Sequence, residues 1–232
     1  ETGAIALALL VWLAVSARAP EPPGALEIST SGGSGWRDLL ARSEFRLILI
    51  LGLVVFFLTH GLGGWMPEIL REHSGFSAMA AANWVAVGGV VGIGASLFLP
   101  RWGDYRRLPS VLIGLSVVVA AALVAIATLP TGFDPLFVGL LGVRSAMIPL
   151  TILALMEAPS VGPQNMGTAY GLWFAVAEVG GVTGPLAMGR IGDSTAGFGG
   201  ALIGMACVCG IVILLAGRLR AIRGATVSSD RR

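Results

Sequence analysis

The sequence contains no lysine and few charged residues of any kind. Charged side chains make up 12% of the 232 residues, against about 25% in soluble globular domains. Apolar residues make up 55%, and 34 residues are glycine. Apolar, glycine-rich chains suit helix packing in lipid, where small residues allow backbones to approach closely. The composition therefore excludes an ordinary soluble domain and predicts an all-α integral membrane protein.

Cysteine and histidine are also scarce, which argues against metal sites and the usual nucleophile motifs. Cys207 and Cys209 are two residues apart, about 200° around a helix, so neither a shared metal nor a disulfide is expected. His60 and His73 stand apart, with no adjoining acid in a metal-binding spacing. The sequence has no G-x-S-x-G or H-E-x-x-H motif. We therefore predict that the protein is not an enzyme, and we expect no cofactor and no nucleic-acid partner.

Six continuous apolar runs are long enough to be transmembrane helices, since crossing the hydrocarbon core takes about 20 residues. The runs are continuous and far longer than barrel strands of about 10 residues, which argues against a β-barrel. Their connections are short, so neighbouring helices must be antiparallel. Together the runs form a predicted transmembrane domain over residues 47–217. The predicted spans are 47–70, 78–100, 109–129, 135–156, 166–189 and 198–217.

The distribution of arginine predicts the orientation. The stretch RWGDYRRLPS (101–110) lies between two uncharged runs. Twelve of the fifteen arginines fall on its side of the membrane, two fall on the other side (Arg71 and Arg190), and Arg144 lies within a span. Arginine-rich loops stay in the cytoplasm. We therefore expect a multi-pass plasma (inner) membrane protein with a cytoplasmic tail, residues 218–232.

Residues 1–17 allow two interpretations. The run GAIALALLVWLAVSARA has the short apolar core and small-x-small ending of a signal peptide. It has no basic leading region, however, and a cleaved signal would reverse the arginine asymmetry. We therefore expect residues 1–17 to be the end of a truncated transmembrane helix. Residues 18–46, which are rich in Pro, Gly and Ser, would then form a flexible cytoplasmic linker.

The turn PRWGDYRRL and the fifth span resemble motifs of the major facilitator superfamily. Asp104, Arg106 and Arg107 match the family's cytoplasmic turn, roughly G-x-x-x-D-x-x-G-R-R, although Pro100 replaces the leading glycine. The segment GGVTGPLAMGRIGD resembles the family's Gly-Pro helix. The resemblance implies the C-terminal half of a transporter, built from two inverted three-helix repeats. It also implies a missing N-terminal six-helix half as partner.

Two further implications follow from this resemblance. In the family the charged turn bonds a neighbouring helix end and stabilises one access state, so Asp104, Arg106 and Arg107 are candidate gating residues; a plain topology signal is the alternative. The stretches HGLGGWMPEILREHSGFS and GIGASLFLPRWGD are similar to the cyanate-permease branch of small-anion transporters.

Arg144 and Glu178 are ionisable residues expected near the bilayer midplane. Each costs about 2.5–3.5 kcal/mol there on insertion scales, and intramembrane charges usually line a pathway. We interpret Arg144 as the anchor of an anionic solute, because its planar guanidinium matches a carboxylate. Glu178 would neutralise Arg144 in the empty site or carry a coupling proton. The alternative is an ion pair that only holds two helices together.

Four other residues complete the candidate solute-binding set. His60 shares one helix face with Gly64 and Glu68, and would contact solute, carry protons or serve as a hydrogen-bonded packing group. Asn83 would line the entrance or bond a neighbouring helix. Tyr170 and Trp173 would form cavity walls or pack within the bundle.

Three features concern the helices themselves. Trp65, toward the outer end of the first span, is expected to anchor at the membrane interface. Pro149 is expected to disturb its helix at the carbonyl of Ser145, which would either shape a site or only kink the helix. Two glycine pairs have the G-x-x-x-G spacing of close helix contacts, a spacing that chance also produces in this chain. These pairs are Gly88/Gly92 and Gly180/Gly184.

The features together favour a secondary transporter that moves a small anionic solute across the lipid bilayer by alternating access, with the proton as candidate coupling ion. A six-helix channel or a self-assembling membrane module is the alternative. A channel would not need opposite charges at mid-depth, and a six-helix module would not need a truncated leading helix.

Overall fold

The computed structural model describes residues 35–229, and all regular structure in that range is helical. Six segments are long and apolar enough to cross a membrane, in agreement with the six predicted spans. The α-helices are α1 (Trp36–Ala41), α2 (Ser43–Glu72), α3 (Ala78–Phe98), α4 (Leu108–Thr128), α5 (Asp134–Leu141), α6 (Met147–Met156), α7 (Met166–Gly192) and α8 (Gly197–Ser229). Short 3₁₀ turns lie at Leu99–Trp102, Thr131–Phe133 and Gly142–Ala146.

Local sequence signals set several of the helix boundaries. Gly75, after α2, and Gly197, at the start of α8, have φ values of +72° and +58°, a left-handed conformation that glycine adopts without strain. The Ser77 side chain caps α3 by accepting a hydrogen bond from the Ala80 amide at 3.2 Å. Pro109 and Pro135 lie in the first turns of α4 and α5, where no intrahelical donor is lost.

Helices α2 and α7 pack with their backbones in direct contact. A Cβ atom added to Gly180 would overlap the carbonyl oxygen of Leu53, and one added to Gly184 would overlap that of Phe57. On the α2 side, a Cβ added to Gly61 would lie 3.2 Å from the carbonyl carbon of Gly184. The G-x-x-x-G spacing of Gly180 and Gly184 therefore marks a true contact face.

Helix α3 packs against the 3₁₀ turn Gly142–Ala146 in the same manner. A Cβ added to Gly142 would overlap the Gly88 carbonyl oxygen, and one added to Gly92 would lie 2.7 Å from the Ser145 hydroxyl. The second predicted glycine pair is therefore also a contact face.

The helix contacts reveal two related repeats. The first contains α2, α3 and α4; the second contains the fourth span (Thr131–Met156), α7 and α8. The first helix of each repeat packs against the second helix of the other, and the two third helices, α4 and α8, pack together. Each repeat has three spans, an odd number. The second repeat therefore starts on the opposite side of the membrane from the first, and the repeats are inverted.

The fourth span is not a continuous α-helix. The 3₁₀ turn Gly142–Ala146 separates α5 from α6, and Pro149 is the third residue of α6. Proline has no amide hydrogen, and its ring clashes with the carbonyl four residues earlier, that of Ser145. The predicted disturbance is confirmed, and it places Arg144 within the interruption.

The first and last helices of the domain are longer than predicted, and two predictions concern residues outside the described range. Helix α2 begins at Ser43, within the predicted linker, and α1 lies there as well. Helix α8 continues to Ser229, through most of the predicted tail. The two extensions contact each other, because Glu44 in the first turn of α2 is bound by Arg223 of α8 at 2.9 Å. The predictions for residues 1–17 and for 18–34 concern residues outside 35–229.

Candidate functional site

Helix α2 has one exposed face in an otherwise buried helix. Within its apolar window 67% of residues are buried, the highest value of the six spans. His60, Gly63 and Gly64 are exposed, and the spacing i, i+3, i+4 places them on one side. The candidate site residues are described below by their positions relative to this exposed face of α2.

Arg144 borders the exposed face on the side of the fourth span. Its Nη1 donates to the Leu141 carbonyl at 2.9 Å, and its Nη2 lies 3.8 Å from the position of a Cβ on Gly63. The half-buried guanidinium reaches the exposed face because the helix interruption carries it there. It also lines a cavity of about 120 Å³, whose other lining residues are Met66, Val85, Gly88, Gly89, Val138 and Ser145.

Glu178, on α7, lies beside the His60 end of the same face. A Cβ on Gly181 would lie 3.2 Å from Glu178 Oε2 and 3.7 Å from His60 Cγ. Glu178 and His60 are therefore close neighbours across the α2–α7 contact. Within residues 35–229 the Glu178 carboxylate makes no hydrogen bond or ion pair.

The expected ion pair between Arg144 and Glu178 is not formed. Among the described residues, no carboxylate lies within 4.0 Å of the Arg144 guanidinium. The two side chains come from different helices, Glu178 from α7 and Arg144 from the interrupted fourth span. The two charges flank one open surface instead of neutralising each other.

One ring nitrogen of His60 is bound to its own helix. Its Nδ1 lies 3.2 Å from the Phe56 carbonyl oxygen, which can only accept, so this hydrogen bond requires a hydrogen on Nδ1. Nε2 makes no hydrogen bond to a described residue. The imidazole also stacks on the Phe56 ring, with centroids 5.0 Å apart.

Aromatic residues of α7 continue the candidate site beyond His60. Tyr170 and Phe174 are exposed, with stacked rings 6.2 Å apart. Phe174 precedes Glu178 by four residues, so the rings and the carboxylate follow successive turns of α7. Tyr170 is thus placed as a wall of the exposed surface.

Two predicted roles need correction. Trp173 is 0% exposed and packs edge-on against Phe56 at 5.5 Å, so it belongs to the α2–α7 core and lines no open surface. Asn83 is exposed, but it lies about 180° around α3 from Gly92, which contacts the fourth span, so it faces away from Arg144. Trp65 donates to the Pro185 carbonyl at 2.9 Å and so joins α2 to α7, while its anchoring at the interface stays a prediction.

Arg223 forms a network at the arginine-rich end of the bundle that sequence reasoning did not identify. The side chain is 2% exposed, and its Nε donates to Glu44 at 2.9 Å. It also donates to the carbonyl oxygens of Tyr105 and Ala154, at 2.9 and 3.0 Å. Glu157 lies 3.7 Å away. One guanidinium therefore joins α2, the α3–α4 turn, α6 and α8.

Burial perturbs two groups in this Arg223 network. Desolvation is the main cause that raises the pKa of Glu157, and Arg223 partly opposes it. Burial also raises the pKa of Tyr105, with a further contribution from Glu44. The Tyr105 ring lies 4.1 Å below the Arg223 guanidinium, a cation–π contact with a neutral phenol.

The charged turn makes its cross-helix contact through Tyr105. Asp104 accepts a hydrogen bond from the Arg107 amide at 2.7 Å, within the turn itself. Asp104, Arg106 and Arg107 are all exposed. The link from this turn to a neighbouring helix is the Tyr105 carbonyl bound by Arg223.

A second polar cluster lies at the opposite end. Asp134, the first residue of α5, is 0% exposed, and neither carboxylate oxygen has a hydrogen-bond partner among the described residues. His73 Nε2 lies 3.1 Å from the Ile126 carbonyl. No group of three metal-binding side chains occurs in residues 35–229.

The sequence offered little sign of these two clusters. Asp134 precedes a proline at a helix start, a pattern typical of an exposed cap. Arg223 is one of several arginines near the chain end. A signal did exist in Glu44 and Glu157, since each is an acid on the arginine-rich side next to a span.

Comparison with known proteins shows the fold. No protein-family model matches the sequence, and no curated protein matches it significantly. Twelve chains of solved structures match. Among them is a variant of the E. coli fucose:proton symporter FucP, with a TM-score of 0.70 and 18% identity, over 93% of this chain and 53% of that one. The chain thus spans about half the symporter's length. The predicted architecture, an all-helical membrane fold with six spans like one half of this symporter, is confirmed.

Proposed function

We propose that this chain is one half of a secondary transporter that moves a small anionic solute by alternating access. The observation that carries the proposal is the exposed face of α2, bordered by the Arg144 guanidinium and the Glu178 carboxylate, neither of which has an ion pair among the described residues. A solute lying on this face would contact both. The fold shared with a fucose:proton symporter supports transport as the activity.

Arg144 is the proposed anchor of the solute. Its Nη2 is directed to Gly63, where the absence of a side chain leaves room for a ligand. A bidentate hydrogen bond to a carboxylate would satisfy a guanidinium that has only one hydrogen bond among the described residues. The Tyr170 and Phe174 rings would then bind the apolar part of the solute.

Glu178 and His60 are the proposed proton carriers. Glu178 is half-buried and makes no ion pair among the described residues, so no cation occupies its carboxylate. His60 adds a ring nitrogen, Nε2, that makes no hydrogen bond to a described residue. The resulting coupling would be between proton binding at Glu178 and anion binding at Arg144.

The Arg223 network is the proposed closure at the arginine-rich end, which we assign to the cytoplasm on the positive-inside rule. Opening a path at this end requires helix ends to separate, and Arg223 joins four of them. The complete transporter would include a second six-helix half, which would cover the exposed face of α2.

Transport by the complete protein in proteoliposomes tests the proposal. We expect uptake of one member of a panel of small carboxylates and inorganic anions, with Arg144→Gln abolishing it. Arg190→Gln, at an exposed arginine of α7, is the control and is expected to transport normally. Glu178→Gln is expected to remove the dependence of uptake on a proton gradient while binding persists.

Two results would contradict the proposal. Normal uptake in Arg144→Gln would remove the anion anchor. Ohmic currents that do not saturate with solute concentration would favour the six-helix channel over alternating access.

A further inference from the structure

A pocket between α4 and α8 lies at the arginine-rich end, away from the exposed face of α2. It has a volume of about 320 Å³, within the usual range of ligand pockets of roughly 300–1,000 Å³. The α3–α4 turn and the start of α4 contribute Arg106, Arg107 and Ser110, and α8 contributes Arg220, Arg223 and Gly224. None of these lining residues is acidic. We refer to it as the basic pocket.

The positive charge of the basic pocket is only partly compensated. Arg223 is paired with Glu44 and Glu157. Arg107 Nε lies 3.8 Å from Asp104 in a contact between two exposed side chains. Arg106 and Arg220 make no ion pair with any described residue. Two exposed guanidinium groups therefore face one concave site, and this arrangement favours an anion with several acceptor oxygens.

The basic pocket lies at the ends of two predicted membrane spans, where lipid headgroups are expected. The spans Leu108–Thr128 and Gly197–Ala225 begin and end beside it. Arg106 directly precedes the first span, Ser110 lies in its first turn, and Arg220 lies in the last turns of the second. Basic pockets between transmembrane helices at this level bind anionic phospholipid headgroups.

An open apolar surface leads from the pocket toward the bilayer centre. On α4, Ser110, Gly114 and Val117 are exposed at successive turns, and Val117 is 51% exposed. On α8, Gly210 and Gly217 lie on the same face as Gly224, at intervals of seven residues. A Cβ added to Gly114 or to any of these α8 glycines would meet no atom within 4 Å. This surface can receive an acyl chain that continues from a headgroup in the pocket.

We infer that the basic pocket binds an anionic phospholipid, with its phosphate held by Arg106 and Arg220 and an acyl chain lying between α4 and α8. Ser110 offers a further hydroxyl donor to the phosphate. The inference requires membrane insertion but not the proposed transport activity. A bound lipid would tie the α3–α4 turn to the end of α8, beside the Arg223 network.

Native mass spectrometry of the complete protein, titrated with phosphatidylglycerol, tests the inference. One arginine near an anionic lipid contributes about fivefold in affinity, so Arg106→Gln/Arg220→Gln is expected to weaken binding about 25-fold. Arg218→Gln, at an exposed arginine of α8 outside the pocket, is the control, with an expected change below threefold. Arg106→Lys/Arg220→Lys keeps the charge and is expected to retain most of the binding.

Two further ligands show whether the pocket requires an anionic lipid or binds any phosphate. Phosphatidylcholine is expected to bind at least tenfold more weakly than phosphatidylglycerol, and soluble glycerol phosphate, which lacks acyl chains, more weakly still. The inference is overturned by equal binding of the two lipids, by equal losses in the Arg218→Gln control, or by glycerol phosphate binding as tightly as the lipid. Size-exclusion chromatography of each variant confirms that it is folded.

Discussion

Replacing Gly180 by alanine tests whether the α2–α7 contact depends on the absence of a side chain. The added methyl group would overlap the carbonyl oxygen of Leu53, a backbone atom that cannot turn aside. Gly171 lies on the same helix and is exposed, and a Cβ added there would lie in open space. Gly171→Ala is therefore a matched control for the same chemical change.

The expected magnitudes follow from two opposing effects. Alanine favours a helix interior over glycine by about 1 kcal/mol, and this gain applies to both variants. Overpacking costs about 1–3 kcal/mol, and it applies to Gly180→Ala alone. The helix-propensity gain cancels in the comparison, so the two variants are expected to differ by about 1–3 kcal/mol, with the upper end favoured because the clash is with backbone.

Thermal unfolding of the purified protein in detergent measures this difference. For a domain of this size 1 kcal/mol corresponds to a shift in Tm of roughly 2–4 °C. We expect Gly180→Ala to melt several degrees below Gly171→Ala, with Gly171→Ala at or above the parent. Equal melting temperatures, or a higher value for Gly180→Ala, would refute the close backbone contact.

Three further predictions concern buried side chains. Arg223→Gln leaves a buried carboxylate without its cation and is expected to cost about 3–5 kcal/mol, seen as a lower Tm, whereas Arg218→Gln leaves the Tm unchanged; equal effects would contradict the network. Because the pKa of Glu157 is raised, the stability that its protonation provides is present at low pH and is lost as pH rises through that pKa. Glu157→Gln is therefore expected to raise the Tm at pH 8 and to match the parent near pH 4, and a constant difference across this range would count against the burial. Trp173→Ala, in the core, is expected to cost about 3–5 kcal/mol, clearly more than Phe174→Ala at an exposed ring, and the reverse order in denaturation would place Trp173 on the open surface.

Most of the fold was predictable because lipid imposes strong rules. In lipid, a helix must form all its backbone hydrogen bonds internally and must be long enough to cross the bilayer. Continuous apolar runs of that length therefore predict spans almost directly. Pro149 predicted the interruption near Ser145 because its effect acts within one turn of the chain. The glycine pairs could be recognised by spacing, but the sequence did not show what they contact.

The candidate site was less predictable, because it depends on which face of a helix remains open. Arg144 and Glu178 were identified as unusual charges, but the absence of an ion pair between them is a property of the packing. Trp173 lies only three residues from Tyr170, yet one is buried and the other exposed. The Arg223 network joins residues far apart in sequence, Glu44 and Glu157 among them, and nothing local to Arg223 indicates its partners.

The most direct measurement of the central claim is cysteine accessibility on the exposed face of α2. In a Cys207→Ser/Cys209→Ala background, Gly64→Cys is expected to react with a membrane-impermeant thiol reagent added on either side of the membrane, as alternating access requires. Val117→Cys, on the apolar surface of α4, is expected to stay unreactive. Labelling of Val117→Cys without labelling of Gly64→Cys would mean that the charges of Arg144 and Glu178 border no water-filled path.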